Sequence, residues 1–175
     1  MWKVLLAGAA YTVGTYILDV LIFPHIIFNR LRKEEMKTGK PILNVGAGLP
    51  QSSLRAQILG PTLWGDINTD IAASREAPCP KNSVCYADAH HLPYPDKYFS
   101  AAFAAHVIEH VTNPVQAIHE LNRVADRVYL YQPAWWAPHT WLYTDHKWYI
   151  TRETAYPLWQ RSKDSLTLPG VHNMY

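Results

Sequence analysis

Apolar residues run almost unbroken from position 4 to position 28, interrupted only by small hydroxyl and glycine residues, by Asp19 and by Pro24-His25. A run of that length is enough to cross a bilayer as a helix. Beyond it the pattern changes to short apolar runs of strand length. Ile42-Leu43-Asn44-Val45 leads into Gly46-Ala47-Gly48, residues 62–71 form a second run ending in acids, and residues 83–87 form a third. An alanine-rich fourth spans 98–108 and a fifth spans 127–131. Residues 54–59 after the glycine turn read as a helix. So do the residues from Asn113-Pro114 onward, where proline suits a first helical position and Val115, Ile118, His119, Leu121 and Asn122 repeat at helical spacing. Strands alternating with helices predict an α/β fold, a Rossmann-like doubly wound parallel sheet, preceded by one N-terminal transmembrane helix. The divisions expected are an anchor over 1–29, a basic juxtamembrane linker over 30–40, an α/β domain over 41–134 and an aromatic-rich segment over 135–175.

Composition changes the picture little. With 175 residues, 49% of them apolar, the chain suffices for one domain with a real core, and a net charge of +2 without a basic stripe gives no support for nucleic-acid binding. Arg30, Arg32, Lys33 and Lys37 follow the apolar run while only Lys3 precedes it, so the positive-inside bias predicts a single-pass protein with its remainder on the cytoplasmic side. A cleaved signal peptide fits poorly, because the run is long and no small-x-small site precedes the charged cluster. A core helix and an interfacial amphipathic helix are the alternatives. Asp19 is costly in lipid and requires a partner. Cys79 and Cys85, the two cysteines, are expected to be free thiols in a cytoplasmic protein.

The glycine turn is the first chemical signal. Without a Cβ at Gly46 and Gly48 a ligand can approach the backbone, at the edge of an α/β sheet where nucleotides bind. Five ordered stretches then make the chain resemble the class I S-adenosylmethionine-dependent methyltransferases of the type 11 group, over roughly residues 42–133. Ile42 to Gly48 is similar to the family's first motif. Ala87-Asp88-Ala89 with Leu92-Pro93-Tyr94 is similar to "D-A-x-x-L-P-F". Tyr98-Phe99-Ser100 through His106-Val107-Ile108-Glu109-His110-Val111 is similar to "F-D-x-x-x-x-x-x-V-L-E-H-V", and His119 to Val124 to "x-E-x-x-R-V". The fifth stretch is the second run, with Asp70 or Asp66 at the ribose-binding acid.

The resemblance implies S-adenosyl-L-methionine as cofactor, held by Asn44, Gly46, Ala47, Gly48, Asp88, Ala89 and His106, with either Asp66 or Asp70 on the ribose. It also marks departures. Asn44 stands where the family has an acid, Pro50 and Gln51 replace later glycine-rich positions, and Ser100 replaces Asp. An amide accepts a hydrogen bond more weakly than a carboxylate, so weaker cofactor binding is expected. The family's last two strands and the helix between them are expected to be abbreviated or missing.

Other constellations compete. A dinucleotide site needs a third glycine where Gln51 stands. His106-Val107-Ile108-Glu109-His110 spells the H-x-x-E-H pattern of some zinc peptidases, but a strand passing into a loop does not supply the helical turn that pattern needs, so no metal is expected. Five of the seven tryptophans fall between Trp135 and Trp159, joined by several tyrosines. That density suits an aromatic wall around an apolar or cationic acceptor, a bilayer interface or a subunit interface, and the residues alone leave all three open.

Methyl transfer from a sulfonium requires alignment of the nucleophile, and a base only if the acceptor carries a proton that must leave. His106, His110, His139, Asp145 and His146 are near the cleft in the inferred fold, and His110 and His146 are the catalytic expectations. The function expected is methyl transfer to a small hydrophobic or membrane-associated acceptor. The alternative is a catalytically inactive methyltransferase-like structural or regulatory subunit of a membrane complex. Partners expected are the small-molecule acceptor, a membrane through the N-terminal helix, and a second copy or membrane-complex subunit.

Overall fold

Four consecutive buried residues, Ile42–Val45, form the central strand β1. Such a strand must be covered on both faces, which is the condition of a parallel sheet. The computed structural model, which describes residues 2–35, 38–49, 57, 59–75, 83–158, 164–171 and 173–174, meets that condition. β1 pairs in parallel with β2 (Ile67–Asp70) on one side and with β4 (Phe99–Ala105) on the other, and β3 (Val84–Tyr86) and β5 (Ala125–Tyr131) extend the sheet outward. β6 (Trp148–Ile150), β7 (Thr154–Pro157) and β8 (Leu166–Thr167) form a separate antiparallel sheet, and β9 (Asn173–Met174) adds in parallel to the edge of β5. The order β3-β2-β1-β4-β5-β9 reverses direction between β1 and β4, so a crevice opens at their carboxyl ends.

The alanine-rich β4 shows how the sheet is covered. Ala102 and Ala104 pack on one face with Val128, Leu130 and the helix α3 (Pro114–Val124), through Ile118 and Leu121. Ala101 and Phe103 face the other side, with Ile42, Tyr129 and Tyr131. Asn113 caps α3, its side-chain oxygen accepting from the Gln116 amide at 3.1 Å, and Pro114 occupies the first turn as its sequence predicts.

The second face is covered by the N-terminal apolar segment itself. It forms α1 (Trp2–Tyr16), a π turn (Ile17–Ile22) and α2 (Phe23–Glu35). Pro24 has no N–H to give to the helix, and the π turn ends beside it with the Phe23 amide bonded to the Leu18 carbonyl. The extra residue sets the inward face. Thr15, Asp19, Pro24, Phe28 and Leu31 are buried at successive intervals of four, five, four and three residues. Phe28 and Leu31 join Phe103, Tyr129 and Trp64 in the core, and Arg32 donates to the Trp64 carbonyl at 2.7 Å. The boundary expected between anchor and linker at 29/30 thus falls inside a helix already packed on the sheet. The outward face is apolar and exposed, at Trp2, Leu5, Leu6, Val13, Ile17, Ile22 and Ile26. By length and composition residues 5–33 qualify to cross a membrane, a property shared by signal sequences and core helices.

Two sequence expectations change. The second run is a strand only from Ile67 to Asp70, because the Asn68 side chain exchanges two hydrogen bonds with the Gly65 backbone (2.9 and 3.0 Å) and holds the preceding residues in a turn. Cys85, expected as a free thiol, is disulfide-bonded, while Cys79 lies outside the described residues. The edge of β5, where abbreviated or missing strands are expected, carries the two-residue β9. Most of the helix expected over 54–59 lies outside the described residues, as do Pro50, Gln51 and Trp159.

Candidate functional site

A cavity of about 720 Å3 lies at the carboxyl ends of β1, β2 and β4. Its first wall is the glycine turn. Gly46 has φ 72° and Gly48 φ 71°, in the left-handed region that favours glycine. The Gly46 and Ala47 amides both donate to the Thr69 carbonyl, at 2.8 and 2.9 Å. A Cβ on Gly46 would stand 2.2 Å from Cγ2 of Val107, so the turn is also locked against the segment after β4. Asp70, the last residue of β2, accepts from the Gly48 amide through Oδ2 and from the Ala72 amide through Oδ1, both at 2.8 Å. Asn44 donates to the Thr62 carbonyl at 2.7 Å and to Oδ1 of Asn68 at 3.2 Å.

Asp88, Ala89 and His90 continue the wall. Nδ1–H of His90 donates to Oδ1 of Asp88 at 2.7 Å and its Nε2 accepts from the Asn113 amide at 3.2 Å, which selects one tautomer and ties Asp88 to the start of α3. Burial works to raise the Asp88 carboxyl, and the bonds from His90 outweigh it, leaving the group below its ordinary value. Behind this wall the Leu92 amide donates to Glu120 at 2.9 Å. Arg123 reaches the Leu92 and Tyr94 carbonyls, Glu120 and Asp96 at 2.8 to 2.9 Å. Two separate sequence motifs therefore form one bonded unit.

Behind the opposite wall lie two buried carboxylates. Asp19, at the π turn, accepts from Tyr131 Oη–H through Oδ1, and through Oδ2 from Nε2–H of His139 at 2.8 Å and from the Ala134 amide at 3.2 Å. Burial, with the Asp19 bond adding to it, pushes the Tyr131 phenol well above its usual range. Glu109 is the second, 1% exposed, with neither carboxylate oxygen in a hydrogen bond among the described residues. His106 lies between the two. This residue follows β4 at φ 53°, its Nε2–H donates to the Asp19 carbonyl at 3.1 Å, and its Nδ1 stands at an ion-pair distance of 3.3 Å from Oε1 of Glu109. Burial opposes charge on both members of this pair. Their mutual attraction outweighs it, raising His106 and, together with His110 and His146, lowering Glu109.

The loop before β6 closes over Glu109. The Lys147 and Trp148 amides both donate to the Glu109 carbonyl, at 2.7 and 3.1 Å, and the Trp148 indole donates to the Val111 carbonyl at 3.0 Å. That docking puts His146 edge-on to His110, ring centroids 4.7 Å apart. Burial lowers the His146 pKa.

Of the residues expected for the cofactor, Asn44, Gly46, Ala47, Gly48, Asp70, Asp88, Ala89 and His106 line this cavity, as do His110 and His146. Asp66 does not. It sits at the amino end of β2, its carboxylate accepting from the Ile42 amide at 2.9 Å beside Arg32, away from the cavity that Asp70 lines. Tyr16 and Val20 of the N-terminal helix also line the cavity, which the sequence did not suggest. Asp19 had signalled only that it required a partner. His139, weighed as a base, is committed to Asp19.

The family described as a methyltransferase domain matches residues 43–127. No curated protein matches the sequence at a significant level. Among solved structures, one described as the crystal structure of the [4+2]-cyclase SpnF is 25% identical over 57% of this chain and 40% of that chain, with a TM-score of 0.34. The present chain thus covers well under half of that protein's length. Members of the matching family generally use S-adenosylmethionine, and the matched stretch is the one that carries the glycine turn, Asp70, Asp88 and the Glu120–Arg123 clamp.

Proposed function

We propose that this protein transfers a methyl group from S-adenosylmethionine to a small, apolar, membrane-associated acceptor. One observation carries the reading. A single cavity joins the glycine turn, Asp70 and Asp88 on one side to the histidine-rich wall on the other, and Tyr16 and Val20 of the apolar helix form part of its boundary.

The residues present fit the cofactor. The cavity's volume suits a nucleoside-sized ligand, and each oxygen of Asp70 that holds a backbone amide retains a second lone pair for a ribose hydroxyl. Asp88, oriented by His90, offers its other oxygen to an exocyclic amine, and the Gly46–Gly48 backbone leaves room for the amino-acid portion. When bound, the cofactor supplies a methyl group activated on a sulfonium. The chain's task is then to align the acceptor and exclude water. The wall formed by His106, His110, Tyr143 and His146 faces the acceptor's reacting atom.

The membrane part rests on the exposed surface. Ile17 and Ile22 on the helix and Trp135, Trp136 and Leu142 near the α4 turn (Pro138–Leu142) are exposed, and Tyr11 donates to the Trp136 carbonyl at 3.3 Å. Tryptophan and aliphatic residues of this kind partition into the interfacial region of a bilayer. With Asp19 held by the domain, the helix lies along the membrane surface and brings the cavity to it.

Calorimetric titration of S-adenosylmethionine and its demethylated product into the full chain in detergent is the test. The expected result is micromolar binding, weakened at least tenfold in Asp88→Ala. Absence of binding by folded protein would favour the second reading, a methyltransferase-like subunit of a membrane complex, for which Asn44 in place of the family's acid is the supporting residue.

A further inference from the structure

We infer that Glu109, His110 and His146 form a binding site for one divalent transition-metal ion on the acceptor side of the cavity. One ligand atom from each of the three lies within 4.8 Å of the other two. The first observation is the state of Glu109. Its carboxylate is buried, and neither oxygen has a hydrogen-bond partner among the described residues, although buried polar groups are as a rule hydrogen-bonded. Among the described residues His106 and His110 stand within 4.0 Å of it, at 3.3 and 4.0 Å.

The second observation is independent, and concerns the two imidazoles. Nδ1–H of His146 donates to the Thr140 carbonyl at 2.9 Å. Nδ1–H of His110 faces the Asp145 carbonyl at 3.3 Å, with the Asp145 carboxylate at 3.4 Å. In each ring one nitrogen is tied to an outer oxygen, which leaves the lone pair of Nε2 directed elsewhere. This is how metal-bound histidines are oriented by their surroundings, including the carboxylate-histidine pairing. Two nitrogens and one carboxylate suit Zn2+, Mn2+ or Fe2+ better than Mg2+, which prefers oxygen alone.

A third ligand from the loop before β6 also answers the objection raised by the H-x-x-E-H stretch. That stretch forms no helical turn, and its first histidine is engaged with Asp19. The third ligand is His146, delivered when the Lys147 and Trp148 amides dock on the Glu109 carbonyl. Metal–ligand bonds near 2.1 Å separate ligand atoms by about 3.0 to 3.4 Å, so binding draws the three side chains together by roughly an ångström. His110 and His146 line the cavity, and the ion's remaining positions are open to water or to an oxygen of the acceptor.

This inference stands without the methyl-transfer reading, and the test separates them. The tag-free full chain in detergent, stripped of metal, is titrated with Zn2+, then Mn2+ and Mg2+, and separately with S-adenosylmethionine. The expected result is one Zn2+ per chain, with Mg2+ at least a hundredfold weaker. His146→Ala and Glu109→Gln each weaken Zn2+ at least tenfold, and Asp145→Asn about tenfold through its effect on His110. His110→Ala, at a part-exposed side chain, keeps the assay usable if a buried variant fails to fold. Co2+ bound by the wild type gives a visible absorption band that His110→Ala abolishes. No stoichiometric Zn2+ binding, or binding unchanged in both His110→Ala and His146→Ala, overturns the site, while intact S-adenosylmethionine binding in the same preparation leaves the proposed function standing.

Discussion

Asp19 and Glu109 are both buried carboxylates beside the cavity-lining His106, which bonds the carbonyl of the first and faces the carboxylate of the second, yet their surroundings differ. Both oxygens of Asp19 are bonded, to Tyr131, His139 and the Ala134 amide. Neither oxygen of Glu109 is. A carboxylate whose acceptors are satisfied by its own chain holds structure together, and here it fixes the N-terminal helix to the loops after β5. One left without donors, and surrounded by imidazole nitrogens, keeps its capacity for something that arrives from outside. The contrast separates a structural carboxylate from a ligand-binding one without reference to position in the cavity.

Variants at the two sites should break this comparison unequally. Asp19→Ala removes one partner of a buried ionic network, and a loss of roughly 3 to 5 kcal/mol of stability is expected in denaturant titrations of the full chain. A loss below about 1 kcal/mol would mean that the helix is held by Phe28 and Leu31 alone. Tyr131→Phe takes away a single hydrogen bond to the same carboxylate, so about 1.5 to 3 kcal/mol is expected in the same measurement. For Glu109→Gln the stability change should stay within about 1 kcal/mol, because no hydrogen bond among the described residues is lost and His106, no longer facing a carboxylate, gives up its proton rather than remain a buried unpaired charge. If it matched Asp19→Ala, the distinction would fail.

The smallest effect sharpens the comparison with a third carboxylate. Glu120 is lowered chiefly by its bond from Arg123, against some burial. Because its folded-state value is depressed, the stabilisation it gives is present above its ordinary value of 4.5 and is lost as pH falls through the folded-state value. Melting temperature measured from pH 6 downward should therefore fall less steeply in Glu120→Gln. Equal slopes would show that the clamp on the Leu92–Tyr94 segment does not depend on the charge of Glu120.

Much of the domain was legible from local chemistry. The glycine turn, the start of α3 at Asn113-Pro114 and the inward spacing of Ile118 and Leu121 are decided by residues close in sequence, and the structure agrees. What was not legible depends on distant partners. Apolar character alone does not separate a helix facing lipid from one packed on a sheet. Tyr131 and His139, which tie this helix to the domain through Asp19, are 112 and 120 positions away from that residue. Asp70 and Asp66 are equally acidic in sequence, and only the direction of β2 places one at the cavity and the other at the opposite end of the strand. The nearness of His146 to Glu109 likewise depends on backbone hydrogen bonds between two loops, for which side-chain pattern carries no signal.

The 2.2 Å separation between a Cβ at residue 46 and Cγ2 of Val107 has a consequence for how this sequence can drift. Shortening Val107 to alanine makes space at position 46 but leaves a backbone that resists any side chain there, by roughly 1 to 2 kcal/mol. Mutations at the two positions are therefore not independent. Descendants of this sequence are expected to keep glycine at 46 while position 107 varies among residues no larger than valine on that side, and a saturation library over both codons would reveal that one-way dependence as an asymmetric survival map.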